Sequence, residues 1–104
     1  MIKVSVLYPH EEDEVFDYKY WNTTHLSLVQ ELLGPMGLVK GEMEEGVSGT
    51  DPNSPPPFVA VAHLFFNSTE EVHEAFAIHA RTIIADIPNY TNIKPIFQIS
   101  KILD

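Results

Sequence analysis

The chain has 104 residues, enough for one hydrophobic core and a single domain over residues 1–104, but not for two. A formal net charge of -9, with six Lys and Arg scattered singly, repels phosphate backbones and anionic lipid, so neither nucleic acid nor membrane is an expected partner. The lack of cysteine excludes disulfides, thiolate nucleophiles and Cys-ligated metal centres.

Residues 2–8 alternate as a strand that Pro9 closes, because proline offers no donor to a ladder. Met1 leads straight into this strand and leaves no room for a leader with an apolar signal core, so a cytoplasmic location is expected. The acidic run Glu11, Glu12, Asp13, Glu14 reads as a solvated loop. Asp17 is a candidate N-cap for a helix from Tyr18 to Gly34, with Phe16 and Trp21 able to close a hydrophobic staple; Gly34 and Pro35 stop it. On this helix Trp21, Leu28, Val29, Leu32 and Leu33 form one apolar arc, and His25 lies near its centre.

Residues 38–47 form a weaker extended segment suited to an exposed edge, followed by a Pro-rich loop over 48–57. Residues 58–66, FVAVAHLFF, are apolar on both faces, which predicts a central strand buried on both sides; His63 is their only polar side chain. Ser68 and Glu71 form a capping box for a second helix, whose apolar arc holds Val72, Ala75, Phe76, Ala80 and Ile83 with His79 inside it. Pro88 ends this helix, residues 89–94 turn, and residues 95–103 form the last strand.

The order strand, helix, strand, strand, helix, strand predicts an α+β fold, a ferredoxin-like βαββαβ plait. Two helices cover one face of such a sheet. Apolar side chains in both alternating sets of the central and last strands predict that a second copy covers the other face, giving a two-fold homodimer.

Proton transfer at neutral pH calls for an imidazole in an apolar, water-poor setting. His25, His63 and His79 are the candidates, with Tyr8, Tyr20, Trp21, Asp86 and Tyr90 as neighbours. Each also has a structural reading: the histidines as satisfied core groups, Tyr20 and Trp21 as core, Asp86 as a helix-end residue or as the acceptor that orients an imidazole. No histidine pair has metal-ligand spacing on one helix face, so no metal is expected. No GxGxxG or phosphate loop occurs, so no cofactor is expected either.

The opening MIKVSVLYP, the segment FDYKYWNTTHLSLVQELLGP, the strand PFVAVAHLFF and the ending HARTIIADIPNYTNIKPIFQIS resemble the EthD family, named for a protein of ethyl tert-butyl ether degradation. Most specific are Tyr20, Trp21 and His25 in a Tyr-Trp-x3-His arrangement, and the run from Ala85 to Asn92. Leu26-Ser27-Leu28 departs from the Met-Pro-Leu usual there. The resemblance implies a dimeric α/β barrel. The expected activity is a small cofactor-independent acid/base enzyme, an isomerase, cyclase or lyase acting on a hydrophobic carbonyl compound. His25 serves as base or acid, assisted by Tyr8, Tyr20 or His79. The alternatives are a non-catalytic ligand-binding dimer and, by analogy with haem-degrading relatives, a haem site at His79.

Overall fold

Four strands, β1 (Ile2–Pro9), β2 (Lys40–Glu45), β3 (Phe58–Phe66) and β4 (Ile96–Lys101), form one sheet in the order β2-β3-β1-β4, with every neighbouring pair antiparallel. The computed structural model describes all residues, 1–104. Between β1 and β2 runs a helical segment: α1 (Tyr18–Tyr20), a π turn (Trp21–His25), α2 (Leu26–Leu33) and a 3-10 turn (Gly34–Met36). Between β3 and β4 lie α3 (Thr69–Asp86) and a 3-10 turn (Ile87–Asn89). This is the predicted βαββαβ plait, the fold class of the dimeric α/β barrels. No helix is long and apolar enough to cross a membrane.

Local chemistry sets the helix ends. Asp17 accepts from the Tyr20 amide at 3.1 Å, and the Phe16 and Trp21 rings meet edge to face at 5.1 Å, so the cap and staple both form. Ser68 and Glu71 close the capping box at the start of α3. Gly37, at φ 110°, turns the chain from the first helical segment toward β2.

The helices pack on one sheet face. Val4, Val6 and Tyr8 of β1 stand opposite Leu64, Ala62 and Ala60 of β3, and all six are buried. Period two sends Lys3, Ser5, Leu7, Val61, His63 and Phe65 to the other face. The prediction that β3 is buried on both sides therefore holds for one: Val61, His63 and Phe65 are only half-buried, because no helix lies over them. The last strand also differs. Its outward set is the mixed Ile96, Gln98 and Ser100, while Phe97 and Ile99, on the helix side, stay 42% and 43% exposed at the sheet edge.

Candidate functional site

The first helical segment does not wind uniformly. Over Trp21–His25 it widens to a π turn, with the Leu26 amide donating to the Trp21 carbonyl five residues back. Thr23 donates its hydroxyl to the Lys19 carbonyl at 2.6 Å, a back-bond of the kind that bends helices. This geometry turns His25 inward, 5% exposed, against the end of α3.

There the imidazole meets Asp86, the last residue of α3. Nδ1 of His25 donates to Oδ2 of Asp86 at 2.9 Å. Oδ1 of the same carboxylate accepts from the Tyr20 hydroxyl at 2.8 Å and from Nδ2 of Asn89 at 2.9 Å. A carboxylate at a helix C-terminus faces the negative end of the dipole, and three donors offset that. Burial pushes Asp86 upward, but the hydrogen bonds from Asn89, His25 and Tyr20 outweigh it and hold the carboxyl below its ordinary range. Asp86 is therefore an anion at neutral pH, an acceptor that holds Nδ1 of His25 and sets the orientation of the ring.

Nε2 looks toward two buried phenols. The Tyr90 hydroxyl lies 3.4 Å from it and 2.6 Å from the Tyr8 hydroxyl. Burial raises the pKa of both tyrosines, so both remain neutral donors. The Tyr90 ring packs edge-on against the imidazole at 4.6 Å and stacks on Phe16 at 5.5 Å.

The segment carrying Tyr90 is itself strapped to the loop before α1. The Asp17 amide donates to the Tyr90 carbonyl, and the Thr91 hydroxyl donates to the Val15 carbonyl. Asn92 both accepts from the Val15 amide and donates to the Asp13 carbonyl. The stretch from Asp86 to Asn92 thus joins the end of α3 to the start of α1 and brings His25, Asp86 and Tyr90 together.

Beside His25 lies a cavity of about 20 Å³, lined almost wholly by hydrocarbon and aromatic side chains, with Tyr8 and Trp21 in its wall. That is room for about one water molecule. Phe76 of α3 and Phe97 of β4 also wall an open apolar groove of about 250 Å³ between those two elements. On the other side, Trp21 and Met43 separate the cavity from a more polar recess of about 330 Å³ beside the π turn.

Of the residues singled out in the sequence, His25, Asp86, Tyr90, Tyr8, Trp21 and Tyr20 converge here. Tyr20 reaches the carboxylate rather than the cavity and acts through Asp86. His63 does not join them: the strand alternation puts it on the opposite sheet face, where Nε2 pairs with Glu44 at 3.0 Å. His79 is half-buried on α3, its side chain makes no hydrogen bond, and it lines no cavity. Sequence reasoning missed Asn89 as a donor to Asp86, although their spacing of three at a helix end hinted at it. It also missed Phe97 as a wall, since nothing local shows which way β4 faces. No cluster of three or more His, Asp or Glu is placed to hold a metal ion.

A ferredoxin-like plait with a carboxylate-held histidine against an apolar cavity defines the class as a small α+β domain. The EthD domain matches residues 9–94, so the chain belongs to the EthD family. An EthD-like protein from Ralstonia eutropha is 37% identical, with a TM-score of 0.90 over 96% of this chain and 89% of that one. An EthD family protein from Bacillus halodurans, 18% identical, shares the fold at a TM-score of 0.75 over 99% of each chain. An uncharacterized 11.0 kDa protein from the thcB-thcC intergenic region of Rhodococcus erythropolis is 28% identical over 93 residues, 88% of this chain and 85% of that protein.

Proposed function

We propose that the protein is a cofactor-independent acid/base enzyme acting on a hydrophobic carbonyl compound. One observation carries this reading: the Asp86 carboxylate accepts from Nδ1 of His25 and orients the ring in the wall of an apolar cavity, with Nε2 as the proposed base. Such a nitrogen removes a proton from the carbon next to a carbonyl. The C–H electron pair becomes the C=C bond of an enolate, the carbonyl π pair moves onto oxygen, and the proton stays on Nε2 until it is returned. Return to the same carbon is exchange; return elsewhere is isomerisation.

The closed cavity holds about one water, so the substrate body extends past Phe76 and Phe97 into the apolar groove between α3 and β4. A second copy of the chain covers the outer sheet face, where Leu7, Val61 and Phe65 are half-buried and β4 is an exposed edge strand. Sedimentation of wild type at dimer mass, and of Phe65→Asp at monomer mass, tests the assembly.

Catalysis is tested with phenylacetone in deuterated water. Wild type accelerates deuterium uptake beside the carbonyl, and His25→Ala, folded by circular dichroism, loses roughly 10²–10⁴ of that rate. Equal exchange by both proteins overturns the reading.

The second reading is a non-catalytic ligand-binding dimer, favoured by the Tyr90 hydroxyl at 3.4 Å, which half-satisfies Nε2. It expects phenylacetone to bind wild type without exchange. The haem alternative gains no support, because its axial candidate His79 lines no cavity.

A further inference from the structure

Trp21 is the only tryptophan of the chain and is 2% exposed, yet its indole Nε1–H is buried with no hydrogen-bond partner. Native interiors rarely leave such a donor unmatched, since its lost water is not replaced. The other unmatched buried nitrogen, Nδ1 of His63, lies across the sheet and away from the cavity. The Trp21 ring stands edge-on to Tyr8 at 5.8 Å, and both line the cavity that His25 faces. Its N–H approaches the Tyr8 phenol without bonding to it.

We propose that the indole N–H of Trp21, together with the Tyr8 hydroxyl, seats the oxygen of the substrate. This rests on the cavity being the substrate site and narrows the substrate class. The inserted end carries a neutral acceptor oxygen, as in a ketone, ester or enol, and neither a hydrocarbon nor an ammonium group satisfies the site. Indole nitrogen only donates, so it selects an acceptor. The Tyr8 hydroxyl is free to donate to the same oxygen when Tyr90 donates to Tyr8 across their 2.6 Å contact. In that arrangement Tyr90 donates to Tyr8 and not to Nε2 of His25, the base of the proposed function. Two neutral donors on the oxygen and a base near the adjacent carbon stabilise charge where an enolate develops it.

A single tryptophan gives a single indole resonance in a proton–nitrogen correlation spectrum of wild-type protein. Two probes are compared: phenylacetone, and methallylbenzene, in which C=CH₂ replaces C=O at nearly equal shape. Phenylacetone is expected to move the indole proton downfield and to bind about tenfold more tightly than the hydrocarbon. In Trp21→Phe that ratio falls toward one while methallylbenzene affinity holds. The proposal is overturned if both probes shift the indole proton alike, or if the ratio survives in Trp21→Phe. Either of those results leaves the cavity standing as a binding site. Failure of wild type to bind either probe removes the cavity reading and this proposal together. Should Trp21→Phe not fold, the wild-type spectra decide alone.

Discussion

His25 and Asp86 meet at 2.9 Å although 61 positions separate them in sequence, and the contact joins the middle of the first helical segment to the last residue of α3. Within the plait, only the return of α3 toward the start of α1 allows it. The pair fixes the ring orientation.

Asp86→Asn tests that role directly. An amide keeps the size but offers Nδ1 a neutral partner in place of the carboxylate. Phenylacetone exchange is expected to fall roughly a hundredfold or more, close to His25→Ala, while circular dichroism shows a folded protein. Exchange near the wild-type rate removes Asp86 from the machinery.

Acid stability follows from the depressed carboxyl of Asp86. Its folded pKa lies below the ordinary value of 3.8, so the folded state binds fewer protons than the unfolded one between those two values. The stabilisation is complete above the ordinary value and is lost as pH falls through the folded one. Urea midpoints of wild type and Asp86→Asn are therefore expected to differ at pH 6 and to converge toward pH 2. A gap that stays constant contradicts the linkage.

The buried Tyr8 and Tyr90 hydroxyls, 2.6 Å apart, act as a unit. Removing either by Tyr→Phe leaves the other without its closest partner and is expected to cost about 1–2 kcal/mol. Removing both costs less than the sum, with a coupling energy of about 1 kcal/mol from a double-mutant cycle in urea. Strict additivity means that the phenols are not bonded in solution.

Gly37 has a positive φ of 110°, and a Cβ there falls 2.6 Å from Oε2 of Glu71. Glu71 is already committed through Oε1 to the amides of Asn67 and Ser68. Gly37→Ala is expected to lower stability by about 1–2 kcal/mol through backbone strain, with a further loss from disturbing the capping box. A thermal midpoint unchanged from wild type refutes this.

What was legible in the sequence is what neighbours in the chain decide. Asp17, Ser68 and Glu71 announce helix starts, Phe16 and Trp21 pair across one turn, and the element order yields the plait. The expected strands at 38–47 and 95–103 are shorter in the structure, because only Lys40–Glu45 and Ile96–Lys101 find partners in the ladder. What the sequence hid is relational. FVAVAHLFF looks buried twice because all its residues but His63 are apolar, and only the pairing of Ser5 with His63 shows which face each takes. The widening at Trp21–His25 has no signature in residue type. The expected helix 18–34 is continuous as predicted, but its winding is not.

That winding has an evolutionary and engineering consequence. A π turn holds one residue more than the α-helical turn it replaces, so it behaves as an insertion absorbed without breaking the helix. Shortening WNTTH by one residue would rewind the segment as ordinary α-helix, whose four residues sweep about the same angle as the five of the wide turn, so everything before it keeps its face relative to α2. Trp21 and Tyr20 would keep the side they share with His25, so a single-codon deletion among residues 22–24 would narrow the turn locally instead of dismantling the pocket.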